Sequence, residues 1–403
     1  LDKMKTIKLT TIEDCVDLLE GGLWMGTGGG GSYNDGMALF KGALENGLSL
    51  EWVDVESIPD DVWTATIGLH GTIAPISRET QSEISRMGLI DDMGDMYIAD
   101  AVKELGEYMG HEFGCLVPAE LGAEAIPEAL VCGARLGIPV VDGDYVGRAV
   151  PEEMQSTYCL YGKQSNLFAS VDKWGNVVIV KNAVNTQALE RIAKMLALAA
   201  FGYTAVATTP LRALDLKKIL VRGTLTQCLK IGRALRRARQ SGDDPINAAL
   251  EVVNGWQLFE GKVIGVETDD RDGYLFGTTH IEGRGDFVGQ TLDVWFKNEN
   301  LVSWLNGSPW ICSPDLLTLA YKESGRGTYN ADIKEGDEVV AIGMKGLDGF
   351  RTKRGLNLAG PIHFGFDIEY TPIEELIKNK LTNLDLNNYS AVVQIPEQKI
   401  NLN

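Results

Sequence analysis

The chain has few of the residues that announce a metal or redox protein. Its four histidines, His70, His111, His280 and His363, share no ligand spacing, so no zinc site built from sequence neighbours is expected. Six cysteines, Cys15, Cys115, Cys132, Cys159, Cys228 and Cys312, are scattered without a C-x-x-C pair. They read as reduced, mostly buried thiols rather than a disulfide framework, which points to a cytoplasmic protein. No apolar run approaches the roughly 20 residues that span a bilayer, and Leu1–Thr10 is too polar for a signal peptide. Positive charge is scarce as well. With 37 Lys and Arg against 56 Asp and Glu, a formal net charge of −19, the chain lacks the basic field that nucleic acid or an anionic membrane requires. The densest basic stretch, Lys230–Arg239, reads as the solvated face of a helix. There is no G-x-x-x-x-G-K-[ST] and no G-x-S-x-G. The signatures of the P-loop and of the α/β-hydrolase serine elbow are thereby missing, and a nucleotide site on the glycine loop is left as a minor alternative.

Glycine, by contrast, is concentrated in one place. Residues 25–36 read MGTGGGGSYNDG, and glycines ahead of a helix permit close backbone approach with N–H groups facing an acceptor. Gly26, Gly28 and Gly31 match G-x-G-x-x-G, but a helix rather than a strand precedes them, so the dinucleotide reading lacks its context. A tight turn between helix and sheet and backbone contact with a small polar ligand both remain open. Asp35, at the end of the loop, either bonds a ligand N–H or caps the next helix.

The periodicity predicts a capped helix over Leu9–Glu20, stopped by Gly21-Gly22, and another over Met37–Leu48. Short apolar strands at Thr64–Gly68, Phe113–Pro118 and Ile138–Val141 alternate with helices at Tyr97–Tyr108 and Ala125–Gly137. That succession is the pattern of an α/β layer. Phe168–Val180 reads as two strands joined by a turn. Helices follow at Gln187–Gly202 and Thr224–Ser241, then β-structure over Leu258–Val302 and Glu338–Ile342. The expected architecture is an α/β N-terminal domain over 1–166 and a β-rich α+β second domain over 167–377. Residues 378–403 form a loosely attached tail.

Several stretches carry polar groups at strand ends, where ligands bind in open α/β sheets. Ile138–Val141 runs into Asp142-Gly-Asp144, then Gly147-Arg148 and Pro151-Glu152. Two carboxylates two residues apart serve as general base or as ligands of a divalent cation, and an arginine forks onto a carboxylate. An Asp–Arg pair that organises its own loop is the alternative. Glu120 in Pro118-Ala-Glu-Leu-Gly122 also follows a buried strand, with helix capping as the rival explanation. Asp315 in Cys312-Ser-Pro-Asp315 and the aromatic-rich Asn357–Tyr370 around His363 complete the set.

Together and in this order, these stretches resemble the S-methyl thiohydantoin desulfurase family, formerly a family of unknown function whose genes accompany hydantoinase/oxoprolinase subunits. The matching pieces include Gly26–Gly31, Pro118–Gly122, Pro139–Asp144 with Gly147-Arg148-Ala149 and Pro151-Glu152, Gly232-Arg233-Ala234, Leu258–Val263, Lys297–Leu301, Pro314-Asp315-Leu316, and Gly360-Pro361 with Phe364–Asp367. His70 and His363 depart from the family pattern. The resemblance implies two domains sharing a cleft and hydrolytic loss of methanethiol from C2 of a hydantoin-like ring. On that reading Asp142 or Asp144 is the base, with Glu120 as the other candidate, and Asp315 reaches in from the second domain. Backbone N–H groups of Gly28, Gly29, Gly30 and Gly31 hold a ring oxygen. Arg148 anchors a propionate-type side chain, and Asp35, Glu152 and His363 are the remaining substrate-contacting candidates. No organic cofactor is expected. A divalent metal on Asp142 and Asp144 is one variant, and a covalent role for Cys115 or Cys312 is another. The alternatives are hydrolysis of another cyclic amide and a non-catalytic partner of a hydantoinase-type enzyme; a homo-oligomer fits either.

Overall fold

The computed structural model describes residues 6–89 and 93–383. Among the described residues, nine strands precede residue 213: β1 (Thr6–Lys8), β2 (Glu51–Val53), β3 (Trp63–Gly71), β4 (Cys115–Pro118), β5 (Val140–Val141), β6 (Gly143–Asp144), β7 (Phe168–Val171), β8 (Val177–Val180) and β9 (Tyr203–Arg212). All but β6 form one mixed sheet in the order β1-β2-β5-β4-β3-β9-β7-β8. Its centre, β2-β5-β4-β3, is parallel, and the flanking pairs are antiparallel. Both faces are covered, and β4 shows why its sequence is apolar throughout. Leu116 enters the core beneath the helices Ile12–Gly26 and Ala125–Leu136, while Cys115 and Val117 face a second core capped by the helix Ala213–Ile219.

The remaining strands are β10 (Val221–Arg222), paired with β6, and β11 (Trp256–Arg271), β12 (Tyr274–Gly283), β13 (Thr291–Lys297), β14 (Glu299–Leu305), β15 (Ser308–Cys312), β16 (Leu316–Tyr321) and β17 (Glu338–Met344). The last seven make an antiparallel sheet in the order β15-β14-β13-β12-β11-β17-β16. An α/β N-terminal domain and a β-rich C-terminal domain are therefore both present. Among the described residues no helix is long and apolar enough to cross a membrane.

Three expectations need correction. The domain break does not fall at 166, because β7, β8 and β9 extend the first sheet through pairs such as Ile67↔Ala207. Such pairing joins distant segments and leaves no local signal. The first helix does not stop at Gly21-Gly22 but continues to Gly26. A Cβ at Gly21 would stand 1.8 Å from the Cys228 carbonyl oxygen, so this glycine allows the helix Thr224–Ser241 to cross at backbone contact. That same helix corrects a third reading. Its basic face is not simply solvated: Arg233, Arg236 and Arg239 pair with Asp14, Asp17 and Glu20 of the first helix. The helix Ile373–Asn383 covers the start of the expected tail, and residues 384–403 lie outside the described residues.

Candidate active site at the domain seam

The glycine loop forms the seam between the domains. The first helix ends at Thr27 in the left-handed conformation. Gly30 follows at φ 71°, with its virtual Cβ 2.6 Å from Gly122 Cα, so only glycine fits between the loop and the end of β4. The Gly30 carbonyl accepts from Glu124 N at 3.0 Å and Ala125 N at 3.3 Å, which caps the helix Ala125–Leu136. On the other side, Asn300 N donates to Thr27 O and Asn330 N to Gly28 O, both at 2.8 Å. Both of those residues belong to the β-rich half.

The turn between β13 and β14 is pinned as firmly. Asn298 sits at φ 59°, its side chain accepts from Leu275 N, and Asn330 Nδ2 donates to Asn298 O at 2.7 Å and Asn300 Oδ1 at 3.0 Å. The result is that Glu299 lies directly over Gly29, whose virtual Cβ would be 1.9 Å from Glu299 Oε1. Glu299 is 2% exposed, and its Oε2 has no hydrogen-bond partner among the described residues. Burial and the nearby Glu120 push its carboxyl well above the ordinary range, against the pull of Arg148 and Lys194.

Glu120, carried by the C-terminal end of β4, is partly exposed and accepts one bond, from Val150 N at 2.8 Å. Burial raises it to about 8, opposed by that bond and Lys194. Lys194 Nζ, buried on the helix Thr186–Ala199, donates to Gly71 O at 2.8 Å and stands 4.1 Å from the centre of the Tyr274 ring. Burial lowers its pKa. The Tyr274 hydroxyl donates to Glu190 at 2.7 Å. His70 completes this group: burial and Lys194 hold it down to about 3, so the imidazole is neutral at neutral pH, and its Nδ1 has no hydrogen-bond partner among the described residues. Glu120, Glu299, Lys194 and His70 thus bring two carboxyls with raised pKa values, a lysine amine and a neutral imidazole into electrostatic reach of one another beside the glycines.

Of the residues singled out from the sequence, Glu120 and Gly28–Gly31 meet here. Glu152 and His363 lie at the edge. Glu152 binds Lys297 at 2.5 Å and His363 Nε2 at 2.7 Å, and despite burial these partners hold its carboxyl down to about 2.

The others have different duties. Asp142 accepts from Thr226 N and Thr226 Oγ1, tying down the start of the helix Thr224–Ser241. Asp144 is fully buried and accepts from Val146 N and Gly147 N at 2.8 and 2.7 Å, while burial lifts it to about 7. The two carboxylates therefore face separate partners. No group of three or more His, Cys, Asp or Glu suited to a metal ion occurs among the described residues.

Arg148 does not wait for a ligand. Its guanidinium donates to Ala149 O, Asp315 O, Thr27 Oγ1 and Asn300 O, which staples the two domains together. Asp315 is 1% exposed and occupied by Gly346 N, Arg351, Tyr370 and Ile373 N, so it braces the β-rich domain. Asp35 is exposed and pairs with Ser32 at the start of the helix Tyr33–Glu45. Burial pushes Cys115 up to about 12 and Cys312 to about 11, leaving both as thiols rather than nucleophiles.

A seam lined by carboxyls with raised pKa values thus lies between an α/β domain and an antiparallel β domain. The family model for the S-Me-THD-like N-terminal domain matches residues 13–182, and that for the C-terminal domain matches residues 184–373. The chain belongs to this S-Me-THD-like family. A crystal structure of a protein from Chromobacterium violaceum has the same fold: TM-score 0.71, 20% identity, with 91% of this chain and 100% of that one covered. No curated protein matches the chain.

Proposed function

We propose that this protein is a hydrolase that removes a thiol from C2 of an S-methyl thiohydantoin-like ring, at the seam formed by Gly28–Gly31, Glu120, Glu299, Lys194 and His70. The observation that carries the reading is the pair Glu120 and Glu299. Two carboxyls in electrostatic contact cannot both ionise readily in a desolvated site, so as the pH rises toward 8 one gives up its proton and becomes the base while the other keeps its own. That division supplies the two proton transfers the reaction needs.

Water attacks the amidine-like C2 as the ionised carboxylate takes its proton, forming the C–O bond. The C=N electron pair goes to the ring nitrogen, which receives the proton of the new C2 hydroxyl as the carbonyl forms; the C–S bond breaks in that collapse, and the departing thiolate takes a proton from the protonated carboxyl. The products are the thiol and the ring carbonyl. Lys194 and the loop N–H groups stabilise the negative charge that develops on the ring. Neutral His70 and the Tyr274 ring stand beside Lys194 and suit a flat, uncharged heterocycle.

The direct test is to supply purified protein with S-methyl thiohydantoins bearing different side chains, alongside plain hydantoins, and to follow released thiol and ring products. Catalytic thiol release supports the reading. Folded protein that turns over hydantoins instead, or none of the panel, contradicts it.

A further inference from the structure

Far from the seam, the first sheet ends in a strand with one open side. Among the described residues β8 pairs only with β7, and its sequence, Val177-Val-Ile-Val180, carries no charge and no proline. A strand edge offers unpaired N–H and C=O groups to another chain, and proteins blunt such edges with charge, proline or a covering segment. The other edges of the two large sheets are treated in this way. β1 is three residues long and ends in Lys8, and β15 carries Pro309. β16 is covered by the segment through Gly327 and Thr328, whose backbone N–H donates to Leu319 O at 2.8 Å. β8 has none of these guards, and Val177 is 44% exposed and Val178 38%.

The ladder to β7 shows which groups that edge presents. Asp172 N donates to Asn176 O at 3.1 Å, and pairing continues as Val171↔Val177, Ser170↔Val178, Ala169↔Ile179 and Phe168↔Val180. Hydrogen-bonded pairs alternate with non-bonded ones in an antiparallel ladder. Val178 and Val180 therefore spend their backbone groups on β7, while Val177 and Ile179 point theirs outward. The neighbouring surface is apolar as well. The helix Thr186–Ala199 turns Glu190 and Lys194 inward and leaves Ile192, Met195 and Leu198 exposed, the reverse of an ordinary surface helix. Leu196 of that helix and Val180 of β8 pack against one small core of Phe168, Leu189 and Ala193, so strand edge and helix form one apolar rim.

We infer that β8 is a homodimer interface, pairing antiparallel with β8 of a second copy about a two-fold axis and joining the two sheets into one. An open edge accepts an extended strand, and a second copy supplies one that is uncharged and has its own edge to close. Pairing about a two-fold closes both edges at once. The outward groups set the register: Val177 pairs with Ile179 of the partner subunit, and Val178 stands opposite its own copy in a non-bonded pair. Lys181 then falls opposite Gly175 of the partner subunit, so no lysine meets a lysine. In a chain of net charge −19, an uncharged strand is where two copies approach with least repulsion.

Sedimentation of the full chain over a concentration series, together with cross-linking of one variant, tests the interface without any turnover. The wild type should sediment as a dimer. Val178→Glu sets two carboxylates face to face and should weaken the dimer about tenfold or more. Val177→Pro removes an outward N–H without touching the ladder to β7 and should weaken it similarly. Val178→Thr keeps an uncharged β-branched side chain and should retain it. Val178→Cys should form an intersubunit disulfide on oxidation, because opposed non-bonded residues stand about 4.5 Å apart at Cα, within disulfide reach. A wild type that stays monomeric throughout the series overturns the inference. So does a dimer that survives both Val178→Glu and Val177→Pro, or one that Val178→Cys fails to cross-link.

Discussion

Glu120 is held by a single backbone N–H, that of Val150, in a setting whose burial lifts its carboxyl to about 8. Glu124, Asp144 and Glu153 are raised to about 7, each by burial first. These shifts fix the sign of a stability effect. Below the ordinary carboxyl values, near 4, folded and unfolded chains carry the same protons on these groups. Between there and about 8 the folded chain holds more, so stability must fall as pH rises through that window. Denaturant titrations at pH 5 and pH 8 should show lower stability at pH 8, and Glu120→Gln should reduce the difference; an opposite slope would remove these residues from the account. Some of this site was legible and some was not. Glu120 was visible because it ends a buried strand. Glu299 was legible only as part of Lys297–Leu301, since nothing local shows that an Asn298 turn aims it at Gly29. Lys194 sits on an amphipathic helix, where a lysine reads as solvent-facing. Its burial under Tyr274 depends on β12, far along the chain.

At the scale of elements, the crossing of the helices Ile12–Gly26 and Thr224–Ser241 is made by glycine on both sides. Virtual Cβ atoms at Gly21 and Gly232 fall 1.8 Å from the carbonyl oxygens of Cys228 and Asp17. Alanine raises intrinsic helix propensity, yet here it would force the backbones apart. Gly21→Ala and Gly232→Ala should each destabilise the protein by about 1–3 kcal/mol, as overpacking does. Gly42, in the helix Tyr33–Glu45, has no atom within 4 Å of its virtual Cβ. Gly42→Ala should therefore stabilise by about 0.5–1 kcal/mol. Chemical-denaturation midpoints of the three variants decide the matter, and loss of stability in all three would contradict the packing argument. Glycines inside an apolar period read as a stop signal when the partner helix is unknown. The helix Thr224–Ser241 itself was legible to the residue, since its period continues without interruption.

At the scale of the whole molecule, Arg148 makes four hydrogen bonds, two within its own domain, to Ala149 O and Thr27 Oγ1, and two that cross to the β-rich domain, to Asp315 O and Asn300 O. An ammonium is a point charge and cannot reproduce that fork. Arg148→Lys should cost about 3 kcal/mol, the order seen when one partner of a buried charged network is removed. Calorimetry should show a lower melting temperature, and an unchanged one would mean that the seam is held elsewhere. The α/β and β-rich halves were readable from strand and helix patterns. Their boundary was not, because β7–β9 return to the first sheet by antiparallel pairing with β3. The Asp142–Arg148 run is prominent in the sequence, yet its Asp and Arg side chains hold the frame around the seam, which places the proposed chemistry on Glu120 and Glu299 instead. The most direct measurement is thiol release from an S-methyl thiohydantoin by Glu120→Gln beside Asp142→Asn, with folding of both checked by circular dichroism. Glu120→Gln should lose about a hundred- to ten-thousandfold in kcat/KM, the range for a lost general acid or base, while Asp142→Asn stays active. An active Glu120→Gln beside a dead but folded Asp142→Asn would contradict the account.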